Sequence, residues 1–199
     1  MQINTDLTGL FGITLAIVVL LVRVPRVRAF PPLQRAAVLG AAIVLVSIPL
    51  WGLSLAGFVR GITGDLSTTT LMLLAFALVR TLSGRTLVDD TNRLPMLRAI
   101  AIAAVVFYPL ALGFSTFDPY RLGYGNLWFM VGLLGLTVWS VLRYSTFFTL
   151  CIALAVAAWS AGWYESPNLW DYLLDPWLAI YAIAVQVKYW WAQRRKINA

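Results

Sequence analysis

A chain of 199 residues that is 61% apolar, only 12% charged and carries a net charge of +7 departs from a water-soluble domain, in which about a quarter of the residues are charged. So much apolar surface exceeds what a soluble fold of this size hides. The basic residues also lie in short links between oily runs instead of on one soluble face, which argues against a nucleic-acid partner. With no histidine and a single cysteine, Cys151, inside an apolar run, the chain lacks the means for imidazole-ligated haem, histidine zinc sites, thiol clusters, an internal disulfide or histidine base catalysis, and no cofactor is expected.

Apolar runs near the twenty residues that a helix needs to cross a bilayer recur along the whole sequence. They are continuously apolar and do not alternate, so they predict an all-α fold, a polytopic transmembrane helical bundle of about seven spans. The spans fall at 7–22, 36–59, 67–82, 97–114, 127–143, 145–163 and 176–192, and 1–199 is read as one integral membrane domain.

The first span follows "MQINTDLT", which has no positive charge, and precedes Arg23, Arg26 and Arg28. A cleaved signal has the opposite arrangement, so a retained helix with its amino terminus outside is expected. The second span carries Pro49 in "VSIPLWG" and the fourth carries Pro109 in "VVFYPLALG", and a proline at such a place predicts a kink. Between the second and third spans, "RGITGDLSTTT" sets Gly61 and Gly64 before a helix start marked by Asp65, Ser67 and Thr68. Those polar side chains serve as the helix cap, or the free amides attract an anion. After the third span, "SGRTLVDDTNRLPMLR" reads as a solvated inner link near lipid headgroups, with Asp89 and Asp90 among its arginines.

The fourth and fifth spans are joined by "STFDPYRLGYGN", and two readings compete for it. In one it is a structured turn, with Tyr120 and Tyr124 as interface anchors and Arg121 paired with Asp118. In the other, Arg121 and Arg60 form an anion-binding pair for a phosphate, carboxylate or lipid headgroup, a task suited to the planar guanidinium fork. The fifth and sixth spans meet at the tight turn "RYST", and Ala153, Ala157 and Ala161 form a small-residue stripe fit for close helix packing. The last outer segment, "AGWYESPNLWDYLLDPW", brings Glu165, Asn168, Asp171 and Asp175, whose spacing matches no calcium loop, and no metal site is assigned. Gln186 is the one amide inside the last span, which ends in "QRRK".

Orientation follows from counting, because cytoplasmic links hold the Lys and Arg excess. With the amino terminus outside and the carboxyl terminus cytoplasmic, every basic residue except Arg60 and Arg121 is inside, and every acid except Asp89 and Asp90 is outside. Tryptophans agree: Trp51, Trp128, Trp159, Trp163, Trp170 and Trp177 fall near outer ends, and Trp190 and Trp191 near the inner end of the last helix. The compact, loop-poor design points to a bacterial inner (plasma) membrane.

The outer side therefore gathers the candidate binding residues: Arg60, Asp65, Asp118, Tyr120, Arg121, Tyr124, Glu165 and Asp171. No catalytic residue is assigned and the chain leans away from being an enzyme. The leading expectation is an accessory membrane subunit whose outer loops, rich in Trp, Tyr and Arg, dock another envelope membrane or extracytoplasmic protein, with membrane lipids as further partners. Two alternatives stand beside it. One is a carrier of small molecules or lipids using a cavity between the two proline-bearing helices. The other is an outer-leaflet enzyme in which Arg60 and Arg121 hold an anionic lipid-linked substrate and Asp65 or Asp118 acts as base.

Overall fold

Ten α-helices carry the chain in a computed structural model that describes residues 2–50, 52–86, 90–143 and 145–197. Three residues singled out above, Trp51, Asp89 and the Tyr144 of "RYST", lie outside the described residues. Among the described residues the fold is all-helical apart from one two-stranded hairpin. Two compact units divide it. One is built from Met1–Leu66, Leu71–Leu87 and Ala161–Glu165, the other from Ser67–Thr70, Val88–Ser160 and Ser166–Ala199.

In the first unit α1 (Gln2–Val22) is followed by the short α2 (Pro25–Arg28) and by α3 (Pro32–Ser47). The expected second span does not continue as one helix to residue 59. Pro49 has no N–H to donate and pushes the residue before it out of the helical region, and Ile48 is extended, with φ −68° and ψ 124°. The chain then makes a tight antiparallel hairpin, β1 (Pro49–Leu50) against β2 (Leu53–Ser54), turning through Gly52 at φ 88°. A separate helix, α4 (Leu55–Thr63), starts beyond it, capped by the Ser54 hydroxyl, which accepts from Gly57 N at 3.0 Å. Pro49 thus ends a helix where a kink was expected.

Two apolar clusters fix how these helices lie. Ile13, Val46, Ala56 and Leu66 form one, with Leu71 against it. Val18, Val22 and Leu39 form the other, with Leu78 against it. The pairing of Ile13 with Val46 and of Val22 with Leu39 makes α1 and α3 antiparallel, while Leu71 and Leu78 follow α1 in the same direction along α5 (Thr68–Ser83). Segment 161–165 is tied to this unit by the Tyr164 hydroxyl, which donates to Leu66 O at 2.7 Å, and by the Thr8 hydroxyl, which donates to Trp163 O at 2.7 Å.

The second unit centres on α6 (Asp90–Pro109) lying beside α10 (Pro176–Ile197), with α7 (Leu127–Leu142) and α8 (Thr146–Ser160) beside each other. Leu97 and Ala104 of α6, Ala155 of α8 and Leu178 and Ala182 of α10 are all sealed from solvent. Gln186 donates to Leu94 O at 3.3 Å, so an amide midway along the last helix ties it to α6. Past Pro109 the chain widens into a π-helical turn, Leu110–Phe114. Loss of the proline N–H and crowding of the carbonyl one turn earlier account for that widening.

One packing expectation is corrected. Ala153 and Ala157 are exposed, and the buried face of α8 is Cys151, Ile152, Ala155 and Ala158. The four-residue alanine spacing marks one face of that helix, and the face covered is the neighbouring one, which holds Cys151 and Ala155.

The combined stretch Asn92–Phe114 is long and apolar enough to cross a membrane, with 23 residues and mean hydropathy 2.0. At 1.5 Å per residue it is about 34 Å long, which matches a hydrocarbon core of about 30 Å. Only 28% of its most apolar 18-residue window is buried, unlike the core helix of a soluble protein. Among the described residues five further apolar helices are shorter, at Asp6–Val22, Pro32–Ser47, Thr68–Ser83, Leu127–Leu142 and Thr146–Ser160.

Candidate functional site

The residues singled out from the sequence fall into two sets, one in each unit. In the first unit Arg60 sits at the end of α4 and is the hub. Its Nε donates to Asp65 Oδ1 at 2.6 Å and its Nη2 to Asp65 Oδ2 at 3.2 Å. Nη1 meets Asp6 Oδ1 at 2.8 Å, and Nη2 lies 3.8 Å from Glu165 Oε1. A bidentate carboxylate is the strong form of this bond. Hydrogen bonding to Asp65 raises the Arg60 pKa above its ordinary value, against the opposing effect of burial and with help from Asp6. The guanidinium is therefore engaged within the chain, which weakens its reading as a holder of an outside anion.

Asp65 consequently does not cap the following helix. Ser67 does, its hydroxyl accepting from Thr70 N at 3.2 Å.

In the second unit the stretch Ser115–Asn126 closes onto Ser166–Asp175. Asp118 caps a 3-10 turn, Pro119–Gly123, by accepting from Tyr120 N at 2.9 Å. The expected pair with Arg121 does not form: among the described residues no carboxylate lies within ion-pair distance of Arg121, which is exposed. Tyr120 donates its hydroxyl to Asp171 Oδ2 at 2.9 Å, and Ser166 donates to the same oxygen. Burial, and then that hydrogen bond to Asp171, push the Tyr120 pKa up, so its phenol stays a neutral donor.

Asn168, wholly buried, ties the two stretches together. Its Nδ2 donates to Tyr120 O at 2.9 Å, and its Oδ1 accepts from Trp170 N at 2.9 Å. The backbone of Leu169 donates to Gly123 O at 2.9 Å, and Trp170 Nε1 donates to Pro119 O at 2.9 Å. A Cβ on Gly123 would stand 1.8 Å from Asn168 Oδ1, so only glycine permits this approach. Aromatic rings fill the space beneath. Trp170 lies between Phe107 and Phe129, with centroids 4.4 and 4.6 Å away, and Tyr124 meets Tyr120 edge-on at 5.8 Å.

Asp175, 3% exposed, is the other organising carboxylate. Its Oδ1 accepts from Leu178 N at 2.8 Å, capping α10. Its Oδ2 accepts from Ser67 N at 2.9 Å, from the Ser67 hydroxyl at 2.7 Å and from the Thr70 hydroxyl. One buried side chain thus caps α10 and holds the Ser67 cap of α5 in place, where the partial positive charge of two helix ends favours an anion.

The sequence pointed to Asp118, Tyr120 and Asp171 but missed Ser166, whose only signal is its place in the turn-forming "ESPN". Trp159 and Trp170, expected as belt anchors, use their indole N–H groups inside the chain, with Trp159 donating to Pro167 O at 2.7 Å. Trp128, Trp163 and Trp177 remain exposed at 79%, 48% and 50%.

Together the folds of both units describe an all-helical chain with a membrane-length helix and two polar clusters held by internal bonds. No known protein family, no curated protein and no solved structure matches this chain.

Proposed function

We propose that this is a polytopic integral membrane protein of about seven crossings, amino terminus outside and carboxyl terminus cytoplasmic, set in a bacterial plasma membrane, and that it serves as an accessory subunit. The platform made by Ser115–Asn126 and Ser166–Asp175 is the surface on which another envelope protein docks.

One observation carries the docking role. The polar groups that would have to act on a substrate are engaged with each other: Asp65 with Arg60, Asp118 with the Tyr120 amide, Asp171 with Tyr120 and Ser166, and Asp175 with Ser67, Thr70 and Leu178. Such a network stiffens a loop; it does not leave a base or an anion clamp free. The large side chains exposed on the platform are Arg121, Phe117 and Tyr124, the two aromatics at 54% and 56%, and Trp177 just beyond it is exposed at 50%. Arginine and aromatic side chains on a rigid frame are the composition of a protein-docking surface.

Membrane residence is supported by the sides of the helices. Val131, Leu134, Val138 and Leu142 of α7 and Ile102, Val105 and Val106 of α6 are exposed apolar residues, a pattern that suits lipid and is costly in water. Charge is also sorted by helix end within the first unit, where Asp6, Asp65 and Glu165 gather around Arg60 and the remaining arginines follow the opposite ends of α1 and α5.

The test is site-specific photocrosslinking in the native host. A probe replacing Arg121 or Tyr124 is expected to trap one and the same protein, and a probe at Leu134 or Val138 is expected to trap none. Adducts of equal pattern from all four sites would defeat the docking role.

A further inference from the structure

At the end of the first unit opposite the Arg60 hub, we infer a binding site for the headgroups of anionic phospholipids. The proposal rests on the membrane reading above and adds a ligand class and a location to it. Leu78 packs on Val18 and Val22, so the carboxyl ends of α1 and α5 share one end of the unit with α2 and the start of α3. Arg23, Arg26, Arg28, Arg80 and Arg85 are all exposed there. The acids of the unit among the described residues, Asp6, Asp65 and Glu165, are drawn together at the other end by Arg60. Asp6 stands about 25 Å from Arg23 along α1 at 1.5 Å per residue, beyond a Debye length of about 8 Å. Among the described residues of the unit, Arg23, Arg26, Arg28 and Arg80 therefore have no counter-charge within reach, while Arg85 precedes Asp89 and Asp90 by four and five positions.

Helix stability explains only part of this cluster. Arg23 and Arg80 lie at carboxyl ends, where the helix dipole favours a cation. Arg26, Arg28 and Arg35 lead into the start of α3, where it does not, and that first turn holds no acid. Arg35 has a local role, with Nη2 donating to Arg28 O at 2.9 Å and to Phe30 O at 3.0 Å. It straps the turn into shape, and its buried Nε has no partner. Val27, 7% exposed, pins α2 from below, and Arg26 and Arg28 on either side of it are left outward.

The neighbouring residues choose lipid over an acidic protein or nucleic acid. Val24, Phe30 and Leu33 are exposed at 41%, 37% and 84%, interleaved with the arginines. A soluble polyanion leaves those apolar groups in water, while a bilayer surface receives them at the acyl boundary and meets the guanidinium groups with phosphates. Arginine further suits phosphate through bidentate bonding.

The experiment uses the full chain in nanodiscs of phosphatidylcholine with phosphatidylglycerol as the minority lipid, and measures phosphatidylglycerol enrichment around the protein by exchange with labelled lipid. The native chain is expected to enrich it. Each basic residue near an anionic surface contributes about 1 kcal/mol, so Arg26→Gln with Arg28→Gln should lower its preference for phosphatidylglycerol over phosphatidylcholine by roughly thirtyfold. The charge-matched pair Lys188→Gln with Arg195→Gln, in the other unit, should leave most of it. Arg80→Gln alone should lower it by about fivefold on the same arithmetic. All these side chains are exposed or lie at the rim of their helices, and unchanged melting in pure phosphatidylcholine verifies the fold. Equal enrichment in the double variant and the native chain overturns the proposal. So does stabilisation by inorganic phosphate alone that matches that by the lipid, since the site would then serve a soluble anion. A chain that fails to enter the bilayer at all refutes the membrane reading itself, whereas one that enters without headgroup preference refutes only this inference.

Discussion

Replacing Asp175 should be the most damaging single polar substitution in the second unit. Its carboxylate is 3% exposed and accepts from four donors, namely Leu178 N, Ser67 N and the hydroxyls of Ser67 and Thr70. Asp175→Ala removes the cap of α10, worth about 1–2 kcal/mol, and leaves Ser67 N buried without an acceptor, which costs about 1–3 kcal/mol more. The Ser67 and Thr70 hydroxyls can rotate toward other acceptors and add less. A loss of about 3–5 kcal/mol is expected, which for a chain of this length lowers Tm by roughly 6–20 °C. Asp175→Asn keeps the volume but turns an amide N–H₂ toward donors, and should recover less than half of that. The chain carries its own reporter, because Cys151, its single cysteine, is 1% exposed; a thiol-reactive fluorophore added during a thermal ramp in mild detergent reads its unmasking. If Asp175→Ala melts within about 2 °C of the native chain, a shift of at most about 1 kcal/mol, the account of Asp175 as the α10 cap and the support of the Ser67 cap is wrong.

Gly123→Ala should cost about 2–4 kcal/mol, since the added methyl meets the wholly buried Asn168 side chain, whose own hydrogen bonds leave it little room to yield; loss of the Trp170 near-ultraviolet dichroism checks it. Arg60→Ala should destabilise the first unit by about 1–2 kcal/mol, because it removes the bidentate bond to Asp65 while Asp6 and Glu165, both more than half exposed, lose only a screened partner, and Arg60→Lys should recover only part, having no fork for Asp65; thermal melting of the two variants side by side checks both. The raised pKa of Tyr120 sets an alkaline effect. The folded state holds the proton more tightly than the unfolded one, so this contribution is full below the ordinary tyrosine pKa of about 10 and is lost as pH rises above it. Melting followed against pH should therefore fall more gently in Tyr120→Phe than in the native chain across that alkaline range.

Helix positions were readable from hydropathy because each run is long and unbroken: Asp6–Val22, Thr68–Ser83 and Leu127–Leu142 lie within a few residues of the expected spans. The 36–59 run misled for a physical reason. Hydropathy does not distinguish a helix from a hairpin followed by an amphipathic helix when Leu50, Leu53, Leu55 and Phe58 are apolar in either case, and Pro49 decided between them. The candidate site was legible in its residues and not in its pairings. Asp-Pro announced a capped turn, and Asp118 caps one, but that Asp171 takes the Tyr120 hydroxyl across 51 positions of sequence depends on tertiary closure. Arg121 and Asp118 looked like partners by proximity, yet the aspartate is taken by the backbone amide of Tyr120, which its short side chain reaches without ordering a long one. Asp175 drew notice only as one of several outer acids, because nothing local reveals that a carboxylate capping one helix will also hold the cap of another 108 positions away.

The most direct test of the central proposal is the sidedness of its loops. In a Cys151→Ala background, single cysteines replacing Thr116, Glu165, Gln34 or Thr86 would be challenged in intact cells with a membrane-impermeant thiol reagent, before and after permeabilisation. The account predicts that the cysteines at 116 and 165 react in intact cells and that those at 34 and 86 react only once the membrane is opened. Reaction of all four in intact cells, or of 34 and 116 from the same side, would contradict a chain that threads the bilayer with its arginine-rich turns inside.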